Sequence, residues 1–176
     1  KVIKEIRQNY NYPHQIMAST GKNRKEQIID AIKLLDGIMS LTMSVQSMEQ
    51  SVLQNIKRDN ISLDHMMALA PAIKETGLLT RAEVILGLPG ETYQSTLETI
   101  RKLVRSEMDD ITVHTCVLFH GSEMNTPEER KKWNFKTKFR IVPLNFGEYD
   151  GQKIFDYEEV GVATKDLSFD DYLYLR

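Results

Sequence analysis

Apolar residues follow two rhythms along the chain. Leu41, Met43 and Val45 alternate with Thr42, Ser44 and Gln46, and Val84 and Leu86 alternate with Glu83, Ile85 and Gly87. Val113 and Val117 alternate with Thr112, His114, Cys116 and Leu118. A period of two is the signature of a strand, whose successive side chains point to opposite faces. Between these stretches the spacing changes to three and four, the helical period. Val52, Leu53 and Ile56 form one such stripe, and Leu97, Ile100, Leu103 and Val104 form another. The pattern predicts strands over 14–20, 39–46, the run into Gly87, and 111–119. It predicts helices over 24–35, 48–56, from Ser62 to Gly77, and over 93–104. Strands that alternate with helices build parallel βαβ units. A single layer of four parallel strands with helices on one face is therefore expected. Four units are too few to close an eight-stranded barrel, so an open sheet and a large part of a barrel both stay open.

Beyond Phe119 the pattern changes. Asn125-Thr-Pro127 interrupts it, and Glu128 to Trp133 reads as a short charged helix. Two strands, 139–146 and 154–162, are predicted around the turn Gly147-Glu-Tyr-Asp-Gly151. Ser168-Phe-Asp-Asp171 has the form of a capping box opening a last helix. The chain thus divides into an α/β part, 1–126, and an extension, 127–176, made of a short helix, a hairpin and a final helix.

The stretch Glu83-Val-Ile-Leu-Gly-Leu-Pro-Gly-Glu-Thr92 is the centre of the α/β part. An apolar strand stops at Gly87, turns through Pro89-Gly90, and restarts as a helix near Thr92. Ligands of α/β folds bind where strands end and helices begin. A plain strand-to-helix turn also accounts for Gly-Pro-Gly. Strand parity adds an argument. Helices pack on the aliphatic sets, which leaves Ser44, Gln46, Glu83, His114 and Cys116 on the other face. Polar groups there suit a lumen or cleft that holds something polar. Each has a plainer role available. Glu83 can bridge a basic group, and His114 suits a satisfied core histidine better than a metal ligand. Cys116 suits a small buried hydrophobe, and Arg58 a solvated cation at a helix end.

Composition narrows the classes. The chain has 176 residues, 41% hydrophobic and 27% charged, which suits an ordinary globular fold with a sizeable core. A net charge of −2 gives no electrostatic pull toward nucleic acid or an anionic membrane. The one cysteine excludes an internal disulfide framework and suits a reducing cytosol, and it cannot by itself form a multi-cysteine metal site. Phosphate-loop, dinucleotide and nucleophile-elbow motifs are absent. The chain starts at Lys1 in mid-pattern, as an excised piece of a longer protein would.

The ordered set Ser44-Val-Gln-Ser-Met48, Asn55-Ile-Lys-Arg58 and Glu83 to Thr92 resembles the radical S-adenosylmethionine (SAM) superfamily. Ala18 to Asn23 and Leu118 to Thr126 fit the third and sixth strand ends of its six-stranded partial barrel. The tail, with Phe146-Gly-Glu-Tyr149, Glu158-Glu-Val160 and Leu167 to Arg176, is similar to the cobalamin-binding subgroup. That subgroup includes the anaerobic magnesium-protoporphyrin monomethyl ester oxidative cyclases and related methyltransferases. The resemblance implies the C-terminal part of a (β/α)6 barrel, about four βα units from the third strand onward. It implies a parent enzyme that cleaves SAM reductively at a [4Fe–4S] cluster to a 5′-deoxyadenosyl radical. Ser19 and Thr20 would then face the methionyl part, and Gln46 and Arg58 the ribose and carboxylate. Glu83, Ile85 and Leu118 would border ribose and adenine, with Ser44 and Gly87 completing the SAM cradle. The family's C-x-x-x-C-x-x-C motif is missing, so the cluster ligands would lie upstream. The resemblance therefore assigns this chain no catalytic residue and no metal ligand, and the piece alone is expected to be inactive. It also implies the N-terminal half of the barrel and a small-molecule substrate as partners, possible use of cobalamin, no nucleic acid or membrane partner, and a cytoplasmic setting. A self-contained α/β ligand-binding module and a degenerate scaffold barrel are the rival readings.

Overall fold

The computed structural model describes residues 1–16, 30–31, 33–35, 38–39, 41–59 and 79–176. The described elements are α1 (Val2–Tyr10), β1 (Leu41–Gln46), α2 (Gln50–Asn55), β2 (Thr80–Leu86), α3 (Tyr93–Arg105) and β3 (Asp110–Thr115). A 3-10 turn (Glu123–Asn125), α4 (Pro127–Trp133), β4 (Lys136–Tyr149), β5 (Gln152–Ala163) and α5 (Phe169–Leu175) follow. The chain divides into two compact units, one of residues 1–46, 60–84 and 100–112, the other of residues 47–59, 85–99 and 113–176.

The first unit carries the start of a three-stranded sheet with the order β1-β2-β3. β1 and β2 run parallel, with Met43 opposite Ala82 and Ser44 opposite Glu83. The alternation read from the sequence holds here. Met43, Val45, Ala82 and Val84 are buried, while Ser44 is exposed and Arg81 and Glu83 are half-buried. The start of β2 is tied by Asp109, whose carboxylate accepts from the Thr80 amide and hydroxyl, both at 2.7 Å. Arg81 pairs with Asp110 at 2.5 Å. Of the predicted first strand, Ile16 makes one parallel bridge to Met39, and the rest lies outside the described residues. The helix predicted from Ser62 to Gly77 also lies outside them, as does most of 24–35.

The second unit has a core of Val52, Leu88, Cys116, Leu118, Trp133 and Phe135, and a second cluster of Leu86, Val160, Val162, Leu167 and Tyr172. One expectation is corrected here. β3 ends at Thr115 rather than Phe119, and the parity assigned to that strand fails. Val113, expected to face helices, is 43% exposed, whereas Cys116, expected on the polar face, is 2% exposed. The cause is a second pairing partner. Cys116 receives and gives backbone hydrogen bonds on two sides, donating to Leu86 at 3.0 Å and accepting from Gly161 at 2.8 Å. Leu118 donates to Glu159 at 2.9 Å, so the base of β5 closes over this segment and seals it into the core.

β4 and β5 form the antiparallel hairpin, longer than predicted at both ends. Four residues, Val142 to Asn145, stand against Asp156 alone between the pairs Ile141–Tyr157 and Phe146–Phe155. Pro143 falls in this bulge, where no ladder donor is needed. The base of the hairpin is clamped by Arg130 of α4. Its two guanidinium nitrogens meet the two Glu159 carboxylate oxygens at 2.6 and 3.0 Å, and this pairing holds the Glu159 carboxyl below its ordinary range. The last helix opens with the capping box read from the sequence. The Asp171 amide donates to Ser168 Oγ at 3.1 Å, and the Asp171 carboxylate accepts from the Ser168 amide.

Candidate functional site

The first unit places Ser44, Gln46 and Glu83 at the end of β1 and along β2. Ser44 and Glu83 are register partners, and the Ser44 hydroxyl donates to Glu83 Oε2 at 2.8 Å. Gln46 departs from simple alternation. The register shifts between Ser44 and Gln46, which puts Gln46 opposite Val84 rather than beside Glu83. Its backbone lies in the left-handed region, φ +67°. A non-glycine residue pays roughly 1–2 kcal/mol for that conformation, and such strain concentrates at functional positions. Strand parity alone therefore does not place Gln46; the bulge does. Ser19 and Thr20 lie outside the described residues.

The second unit holds Arg58, Ile85, Gly87 and Leu118. Arg58 follows α2 through a Schellman ending. Lys57 takes the left-handed conformation at φ +53°, its amide donates to Gln54, and the Arg58 amide donates to Leu53 at 2.9 Å. This ending fixes where Arg58 leaves the helix. The guanidinium is partly buried, and desolvation lowers its pKa from the ordinary value. Ile85 packs on the core cluster, and Leu118 lies within it at 3% exposure.

The turn after β2 is built from its own residues. Glu91 is 1% exposed. Its Oε2 accepts from the Gly87 amide at 2.8 Å and the Leu88 amide at 3.3 Å. Burial pushes this carboxyl up to about 7, against the pull of the two amides and the Thr96 hydroxyl. Thr92 caps α3 reciprocally with Ser95: each hydroxyl accepts from the other residue's amide, at 3.1 and 2.9 Å. Gly90 has φ +82°, and a Cβ there would lie 2.5 Å from the Asn55 Nδ2 that donates to the Pro89 carbonyl. The two glycines therefore serve close packing within the protein: at Gly87 the nearest atom to an added Cβ is the Gly161 carbonyl oxygen, at 3.4 Å. The sequence places Glu91 next to the predicted helix start at Thr92. Its return to the strand-end amides, and the Asn55 strut, carry no separate sequence signal.

An open depression beside the turn is lined by Glu49, Ser51, Gly90, Thr92, Ser95 and Glu98 among others, and none of the nine predicted cofactor residues lines it. Among the described residues no cluster of three or more His, Cys, Asp or Glu side chains has metal-site geometry. Cys116 is a buried free thiol pushed up to about 12, by burial first and by Glu91 second. Among the described residues no helix is long and apolar enough to cross a membrane.

Comparison with known proteins gives the class and then the branch. No family model matches the chain. In fold it is similar to two radical SAM enzymes. Coproporphyrinogen III oxidase HemN from Escherichia coli superposes with a TM-score of 0.56 and 21% identity, over 74% of this chain and 30% of that one. The radical SAM methyltransferase TsrM from Kitasatospora setae, with tryptophan and a SAM analogue bound, gives 0.58 and 14%, over 82% and 29%. In sequence the chain is similar to two methyltransferases, the first of them a cobalamin-dependent radical SAM enzyme. TokK from Streptomyces tokunonensis is 30% identical over 139 residues, covering 77% of this chain and 20% of that protein. The 2-(S-pantetheinyl)-carbapenam-3-carboxylate methyltransferase of Streptantibioticus cattleyicolor is 28% identical over 141 residues, covering 78% and 21%. The chain spans about a fifth of the length of these curated relatives. The resemblance read from the motifs to the radical SAM superfamily, and to its cobalamin-dependent branch, is thus supported by relatives in sequence and neighbours in fold.

Proposed function

We propose that this chain is the C-terminal part of a radical SAM partial barrel, working within a longer cytoplasmic protein that transfers a methyl group. The observation that carries the reading is the match to TokK, which covers 77% of the chain. The methyltransferase relatives favour methyl transfer over the oxidative cyclisation that the motifs also allowed. SAM would be the radical source, with a [4Fe–4S] cluster as its reductant and cobalamin as the second cofactor. The cluster does not fit this chain's own residues. Ligation normally takes three or four thiolates, and Cys116 is buried and held neutral. The cluster ligands belong, in this reading, to the other part of the barrel.

Taken unit by unit, several assigned residues carry the donor and acceptor types that parts of SAM call for. In the first unit, the half-buried Glu83 carboxylate is oriented by Ser44 and offers acceptors to a ribose diol. Gln46, held in a strained conformation at the end of β1, offers a side-chain amide. In the second unit, Arg58 offers a planar fork suited to an amino acid carboxylate. Ile85, partly buried against the core, is assigned the adenine side by the motif resemblance, while Leu118 is 3% exposed and the Gly87 amide is held by Glu91, so neither presents a surface of its own. Ser19 and Thr20 are assigned to the methionyl part by the motif resemblance alone.

The test uses the full-length parent. Glu83→Leu is expected to weaken SAM binding by roughly 1–3 kcal/mol, the cost of an unmade buried hydrogen bond, or about one to two decades in Kd. The melting temperature should hold, because Glu83 is on the face of β2 away from Ala82 and Val84. Calorimetric titration beside thermal melts reads both. A destabilised protein whose folded fraction binds SAM normally would make Glu83 structural and remove this assignment.

A further inference from the structure

Among the described residues, a buried carboxyl with only neutral partners is the least explained group in the second unit. Glu91 is 1% exposed, on the turn between β2 and α3. The groups facing it come from several elements. The end of β2 supplies the Gly87 and Leu88 amides, at 2.8 and 3.3 Å. α3 supplies the Thr96 hydroxyl, and the first turn of α3 contains no acid. The segment after β3 supplies the Cys116 thiol, which stays protonated. α2 reaches the turn through the uncharged Asn55 amide, on the Pro89 carbonyl. α4 brings the Trp133 ring near Gly90. Among these groups none carries a positive charge.

We propose that Glu91 is a proton-operated latch and positioning residue for the strand-to-helix turn: neutral, it holds the Gly87 and Leu88 amides, and ionised, it releases them. Both amides converge on Oε2. A proton on Oε1 therefore leaves the acceptor for both amides intact. Ionisation strengthens each amide bond but places a full charge among neutral dipoles, out of water. The carboxylate recovers its hydration only by swinging out of the turn, which frees the end of β2. A titration near pH 7, the value to which burial pushes this group, makes the latch responsive over the physiological range. The inference concerns the turn itself and stands without the SAM assignment.

Hydrogen exchange read by mass spectrometry over the peptide 85–92 tests it, in the full-length protein, with rates corrected for the intrinsic effect of pH. Protection of Gly87 and Leu88 should fall roughly tenfold between about pH 6 and about pH 8, as opening is favoured. Glu91→Gln keeps an acceptor oxygen for both amides and cannot ionise, so its protection should stay flat, at or above the level the unsubstituted protein shows at pH 6. Parallel behaviour of the two proteins across this range would overturn the latch. Infrared spectroscopy of the unsubstituted protein gives a second reading that needs no variant. A protonated carboxyl band, assigned by selective glutamate labelling, should be present at pH 6 and disappear by pH 8. Its absence at pH 6 would also overturn the proposal.

Discussion

Raising the pH from about 4.5 to about 7 is expected to cost the fold about 3 kcal/mol through Glu91 alone. The unfolded chain releases this proton near 4.5, and the folded protein holds it to about 7. Between those values the folded state binds the extra proton, so protons stabilise it. The contribution is fully present below 4.5, is lost progressively as the pH rises, and stays constant above the folded value. Each pH unit between the two values is worth up to about 1.4 kcal/mol, less near either end, which sets the size. Because the side chain is almost wholly buried, solvent screening takes little away. Urea titrations at several pH values, compared between the unsubstituted protein and Glu91→Gln, isolate this slope from that of the other carboxylates. A slope that the substitution leaves unchanged would show that Glu91 ionises normally in the folded protein.

Gly90→Ala is expected to destabilise the protein by about 2–3 kcal/mol. The φ of +82° costs a residue with a Cβ roughly 1–2 kcal/mol. The new methyl would also stand 2.5 Å from Asn55 Nδ2 and drive that side chain off the Pro89 carbonyl, adding about 1 kcal/mol for the lost hydrogen bond. Asn55→Ala alone should cost about that last amount. The double substitution should cost less than the sum, since the hydrogen bond can be lost only once. A strictly additive cycle in chemical denaturation would mean that the strut and the turn are independent.

What the sequence made legible was local. The Ser168–Asp171 capping box needs only four residues in order, and it forms as read. The alternation of β2 was legible because the extra residue falls on β1, so Ala82, Val84 and Leu86 keep one face and are all buried. Where a strand changes partner, the reading failed. Val45 sits in a register shift that depends on β2, 35 and more residues away, so parity alone did not show that Gln46 would pair with Val84. Cys116 looked like a member of a polar face until the β5 backbone closed over it, and its plainer reading as a small buried hydrophobe is the one the structure shows. At the candidate site, the Ser44–Glu83 contact follows from register and was legible as a shared face. The course of Glu91 back to the strand-end amides was not, because the sequence gives a side chain's position but not the direction in which it folds.

The hairpin has a consequence for how the molecule comes apart. Phe139, Ile141, Phe146, Phe155 and Tyr157 share one face of β4–β5, and each is between 56% and 72% exposed. Phe139 and Tyr157 meet edge to face at 5.7 Å, yet no third layer covers them among the described residues. A two-stranded ribbon on its own is marginally stable in water. Its far end, beyond the bulge at 142–145, is therefore coupled to the core only through the clamped base. Heating this chain should not give one all-or-none transition: the distal ribbon melts as its own small cooperative block, and the calorimetric enthalpy exceeds the value inferred from the sharpness of the main transition.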